Sequence, residues 1–131
     1  MSIDYNKNKS LPTLNPGLSH WKLQRLSAIF IIPLIIWFIS SILMNMSTEY
    51  KRAVEWIVNP INSILLIMLL AGIFYHSGMG LQVVFEDYVS NSRLRKIIIF
   101  LSNLTLLFLA IISITSILTI LLFLLSLKRK I

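Results

Sequence analysis

Three long apolar runs dominate this chain and leave it few ways to fold: Leu26 to Met46, Ile61 to Phe85 and Ile97 to Leu127. Each reaches the roughly 20 residues that an α-helix needs to cross the hydrocarbon of a bilayer, and none contains Lys or Arg. In lipid a backbone must satisfy its own hydrogen bonds, and a helix does so within one segment. The chain therefore reads as an all-α integral membrane protein, a single domain over residues 1–131 with three transmembrane helices. The third run exceeds the spanning length by about half, which predicts tilt or a protruding end rather than a fourth crossing. Composition agrees: the chain is 56% hydrophobic and 13% charged, against roughly 25% charged for soluble domains.

The segments between the runs set the topology. Residues 1 to 18 read as a polar, extended leader, with Ser19 capping a helix that opens at His20-Trp21. The first twenty residues hold no apolar h-region, so the tail is expected to stay on the side of synthesis. Trp21, Lys22 and Arg25 suit a membrane interface, where an amphipathic ring and long cationic stems are favoured. Pro33 removes a backbone donor inside the first run and predicts a bend there. Ser47 to Asn59 is polar and predicts a connection with a short interfacial helix carrying Trp56. Asn59-Pro60 then opens the second span, and Ser90-Asn91-Ser92 turns into a third helix opening at Arg93.

Basic residues near the spans orient the chain, because basic loops resist translocation. Lys7, Lys9, Lys22, Arg25, Arg93, Arg95 and Lys96 lie on one side, against Lys51, Arg52, Lys128, Arg129 and Lys130 on the other. The N-terminus is therefore expected to face the cytoplasm, or the matrix. A net charge of +7 suits contact with anionic lipid or an acidic partner, and nothing points to nucleic acid. The Ile-, Lys- and Asn-heavy composition fits an AT-rich bacterial or organellar gene.

Chemistry concentrates at the end of the second run. Positions 76, 80, 83, 84 and 87 share one helical face, which carries His76, Gly80 and Asp87, and Gly72 extends it by a turn. An ionisable residue inside a span is expensive unless it is bonded, paired or ligating. Two readings of His76 compete: a neutral imidazole bonded across a helix crossing, or an axial ligand with two side-chain-free turns beside it for a porphyrin plane. Small residues also serve plain helix packing. The chain has no cysteine, which excludes disulfides and an iron–sulfur cluster held by this chain alone. His20 is the only other histidine and lies near the tail, so bis-histidine ligation would need a partner chain. Arg25 is a possible counter-charge for haem propionates or a cation reaching for lipid phosphate.

Asp87 and Tyr88 follow His76 by about 17–18 Å along a helix, near the membrane surface. Reduction of a quinone needs a hydrogen-bond donor at its carbonyls and a proton route to water, which a tyrosine and a neighbouring carboxylate can supply. The competing reading is an aromatic-belt residue beside a solvated helix end.

The segment His76-x3-Gly80, with Val84 and Asp87-Tyr88-Val89, resembles the D-type membrane anchor of succinate dehydrogenase, respiratory complex II. The segment His20-Trp21-x2-Gln24-Arg25-x-Ser27-Ala28-Ile29, with Pro33-Leu34 and Trp37-Phe38, looks like the same family. The resemblance covers roughly residues 17 to 95. It implies a helix bundle completed by a larger cytochrome b-type anchor, with His76 as one axial ligand of haem b and the larger anchor giving the other. It also implies Asp87 and Tyr88 at the ubiquinone site, Arg25 and His20 in the haem propionate region, and electrons arriving through a flavoprotein and an iron–sulfur subunit. The anchor itself would perform no dehydrogenation. The implied location is the bacterial inner membrane, or alternatively the mitochondrial inner membrane.

Other functions stay open on the residues alone. A fumarate reductase anchor is the nearest. A small transporter would need further polar residues lining one path, especially in the third helix. A purely structural subunit would use the glycine face for packing only.

Overall fold

The computed structural model describes residues 16–45 and 50–130, which form four helices: α1 (Pro16–Asn45), α2 (Tyr50–Val58), α3 (Pro60–Tyr88) and α4 (Ser92–Lys130). Three are long and apolar enough to cross a membrane, over Gly17–Met44, Pro60–Tyr88 and Ser92–Leu127. The all-helical, three-span expectation holds, and the described residues contain no strand.

The ends of the helices follow from their caps. α1 opens at Pro16, so Gly17, Leu18 and Ser19 are helical, which corrects both the extended reading of residues 16–18 and the capping role of Ser19. Proline suits a first helical position because its missing N–H would have had no partner there. Residues 1–15 of the expected leader lie outside the described residues. α1 then runs unbroken through Pro33. Asn59 caps α3, its side-chain oxygen accepting from the Ile61 N–H at 3.0 Å with Pro60 in the first turn. Asn91 caps α4 by accepting from the Arg93 and Leu94 N–H groups at 3.0 and 3.2 Å. That cap starts α4 at Ser92, one residue before the expected Arg93.

The expected interfacial helix is α2. Its Trp56 stacks on Trp37 of α1 with centroids 5.7 Å apart, and Phe38 lies against the same ring at 6.4 Å. The Asn62 side chain donates to the Trp56 carbonyl at 2.9 Å, and the hydroxyl of the wholly buried Ser63 donates to the Ile57 carbonyl. These two bonds hold the end of α2 against the start of α3. Residues 47–49 of the polar connection lie outside the described residues.

α3 is the middle helix. It packs against α1 on one side and α4 on the other, while α1 and α4 make no contact among the described residues. The three spans thus form an open layer rather than a closed bundle. Its core is the α1–α3 crossing, where Ile31, Leu34 and Leu69 are buried with Phe38 and Leu65 beside them. A Cβ on Gly72 would lie 3.0 Å from Cγ1 of Ile31, so the absent side chain lets the two helices approach. Most large side chains of α4 point outward, Phe108 and Phe123 among them.

Candidate functional site

Along α1, residues 20, 24, 27, 31, 34 and 38 recur at alternating spacings of four and three, so they form one stripe facing α3. The half of this stripe toward the end of α1 is apolar: Ile31, Leu34 and Phe38 pack against α3. The half toward its start is polar, with His20, Gln24 and Ser27. Ser27 meets His76 across the crossing, and a Cβ on Gly80 would lie 3.8 Å from Nε2 of Gln24. The pairs Ile31–Gly72, Ser27–His76 and Gln24–Gly80 run in opposite directions along the two chains, so α1 and α3 are antiparallel.

The contact at His76 is specific. Oγ of Ser27 lies 2.9 Å from Nδ1 of His76 and 2.7 Å from the Gln24 carbonyl oxygen. A carbonyl only accepts, so the single hydroxyl proton goes to Gln24 and the hydroxyl oxygen accepts from Nδ1–H. The histidine is then the Nδ1–H tautomer, with its lone pair on Nε2. Nε2 is not among the buried unpartnered atoms and has no hydrogen bond within the described chain, so it opens to the molecular surface.

The two glycines beside His76 have different surroundings. Gly72 is filled by Ile31 and Phe30 and serves the helix crossing, whereas Gly80 leaves only the end of Gln24 nearby. Among the described residues no three His, Cys, Asp or Glu side chains converge on a metal position. His76 therefore stands as a single donor, with no second metal-ligating side chain converging on it among the described residues.

The other residues singled out by sequence do not gather around His76. His20 lies on the same stripe two turns before Ser27, and its Nε2 is buried without a partner. Arg25 is exposed and its guanidinium stacks over Trp21 at 4.5 Å, with no hydrogen bond to His76. Asp87 and Tyr88 end α3; both are exposed, Tyr88 by 85%. The adjoining Glu86 accepts from the Gln82 side chain at 2.9 Å, and its backbone oxygen accepts from Arg95 at 3.4 Å. A groove of about 430 Å³ between α3 and α4, lined by Phe74, Tyr75, Gly78 and Asn103, includes none of His76, Asp87 or Tyr88.

Ser27 was not singled out by the sequence reading as a site residue. The alternating spacing from His20 to Phe38 is the signal that places it on the α3-facing stripe. In α4 the hydroxyls of Thr105, Ser113, Thr115, Ser116 and Thr119 all donate back to carbonyls of their own helix. Such bonds are ordinary for hydroxyls in a spanning helix, and Asn103 is the α4 polar side chain that faces the groove against α3.

The chain is similar to known membrane-anchor proteins. The family described as succinate dehydrogenase/fumarate reductase transmembrane subunit matches residues 5–112. The succinate dehydrogenase hydrophobic membrane anchor subunit of Rickettsia bellii is 33% identical over 93 residues, covering 71% of this chain and 74% of that one. Its Rickettsia felis counterpart is 35% identical over 85 residues, 65% of this chain and 71% of that one. The succinate dehydrogenase membrane anchor subunit of Reclinomonas americana is 31% identical over 88 residues, 65% of this chain and 73% of its own length.

Proposed function

The chain belongs to the succinate dehydrogenase/fumarate reductase transmembrane subunit family, as a multi-pass membrane anchor of succinate dehydrogenase, and from that premise we propose that it binds haem b through His76 and helps to form the ubiquinone-reduction site. The observation that carries this reading is the tie of His76 Nδ1 to Ser27, which leaves the Nε2 lone pair free at the surface. A metal-binding imidazole commonly donates its other N–H in this way, because the bond fixes both the tautomer and the ring plane.

The partners in this reading are a larger cytochrome b-type anchor, an iron–sulfur subunit and a flavoprotein subunit. The larger anchor would lie against the open helix layer and bring the second axial ligand. Haem b, when bound, supplies a one-electron carrier beside the quinone site. His20 lies at the start of α1, the region proposed for the haem propionates, with its Nε2 buried and unpartnered within this chain. Arg25, held over Trp21, offers a guanidinium at the same end of α1. Tyr88 would donate its hydroxyl to a quinone carbonyl, and Asp87 would return a proton to that region from water. Their exposure fits a slot whose other walls belong to other chains. As a non-catalytic subunit the chain performs no dehydrogenation. The location proposed is the bacterial inner membrane, with the mitochondrial inner membrane as the alternative.

Replacing His76 with leucine in the assembled complex tests the ligand. Loss of the low-spin b-type spectrum with dye-linked succinate oxidation retained is the expected result, since one axial bond goes and the soluble subunits are untouched. An unaltered haem spectrum in His76→Leu would overturn the assignment.

A further inference from the structure

We propose that Ser27 is a positioning residue for this haem: its hydroxyl fixes the Nδ1–H tautomer of His76 and, through the imidazole, tunes the reduction potential of the iron bound at Nε2. The proposal rests on the haem reading above. It assigns a role to a side chain on a different helix from the ligand.

Proton counting carries the argument. In the Nδ1–H tautomer the 2.7 Å contact to Gln24 and the 2.9 Å contact to His76 are both hydrogen bonds. In the Nε2–H tautomer, Ser27 would have to give its one proton to either Nδ1 or the Gln24 carbonyl, and one contact would be lost. The native arrangement therefore selects the tautomer whose Nε2 can bind iron. The hydroxyl is also a better acceptor for being a donor, since a chain of hydrogen bonds polarises each member. The α4 hydroxyl of Ser126 makes the same backward bond to the carbonyl three residues before it at 2.6 Å, so the bond to the carbonyl is ordinary for a spanning helix. What distinguishes Ser27 is the imidazole across the crossing.

The register makes the contact hard to lose. Gly72, one turn from His76, admits Ile31, which lies one turn from Ser27, and this close approach sets the height of the two helices. Ser27 is half-buried there, so water competes weakly for the bond. An acceptor at Nδ1–H increases the electron donation from Nε2, which favours ferric over ferrous iron. Removing it should raise the haem potential.

Redox titration of the haem absorbance in the purified complex tests this without reference to turnover. In Ser27→Ala the ratio of reduced to oxidised haem at a fixed ambient potential should rise about three- to tenfold, equivalent to about 30–60 mV at 59 mV per tenfold. Ser27→Thr keeps the hydroxyl and should titrate like the wild type. Ser27→Val has the shape of threonine without the hydroxyl and should follow alanine, so the Thr and Val pair decides the matter if the alanine complex assembles poorly. Equal potentials in the Thr and Val complexes would overturn the role of Ser27, even where His76→Leu abolishes the low-spin signal. A His76→Leu complex with its low-spin signal intact would instead remove the ligand reading itself.

Discussion

Tyr88 and Asp87 end α3 on the surface, where a side chain can serve a ligand held mainly by other chains. Tyr88→Phe removes one hydroxyl and keeps the ring. If that hydroxyl binds the quinone carbonyl more tightly in the transition state, quinone reduction should slow by about 1–3 kcal/mol in barrier, roughly five- to 150-fold. Dye-linked succinate oxidation should stay near wild type. Asp87→Asn should slow quinone reduction too, and more at high pH, where bulk protons are scarce and a local carrier matters most. The ratio of quinone-linked to dye-linked activity checks both, and wild-type ratios in both variants would return the pair to an interfacial helix end. His76 was legible as a candidate because an imidazole in an apolar run demands a partner. Ser27 was not, since serine in a spanning helix ordinarily satisfies itself on its own backbone, and only the height of α1 against α3 reveals the second bond.

At the scale of elements, the glycines of α3 divide the work between packing and space. A Cβ on Gly72 would lie 3.0 Å from Ile31 Cγ1, one on Gly78 would lie 3.2 Å from Asn103 Oδ1 and 3.7 Å from Leu106, and one on Gly80 would have only Gln24 Nε2 near it, at 3.8 Å. Gly72→Ala must push a buried isoleucine, so it should destabilise by about 1–3 kcal/mol, the usual cost of overpacking. Gly78→Ala should cost less, because an exposed asparagine can withdraw, and Gly80→Ala should be tolerated by packing. Thermal unfolding of the detergent-solubilised complex, followed by haem loss, gives the order; a Gly72→Ala complex as stable as Gly80→Ala would contradict the crossing geometry. The sequence placed all three spans, because length and hydropathy are properties of each segment alone. It could not distinguish a glycine that admits a neighbouring helix from one that leaves room, because that depends on which helix lies opposite. The start of α1 was also misplaced, since a Pro-Gly pair reads equally as a turn or as the first turn of a helix.

For the molecule as a whole, the antiparallel spans fix which ends share a side. The pairing of α1 with α3 brings the Pro16 end level with Tyr88, and Asn91 turns the chain directly into α4, so these ends belong to one face. α2 touches α1, α3 and α4, so it lies at the opposite face near the far end of α4. The basic bias assigns the first face to the inside. That assignment matters for function, because it puts Asp87 and Tyr88 on the side from which protons and electrons would be delivered by inner-face subunits. Single cysteines at Ser90 and Glu55, both exposed, read it out, and this chain contributes no thiol of its own. Glu55, exposed in α2, reports the connection between the first two spans. In sealed right-side-out vesicles an impermeant maleimide should modify the chain carrying Glu55→Cys and spare the one carrying Ser90→Cys until the membrane is opened. Modification of Ser90→Cys alone would invert the molecule and move the tyrosine to the wrong side for those subunits, whereas modification of both from one side would contradict the crossing made by α3.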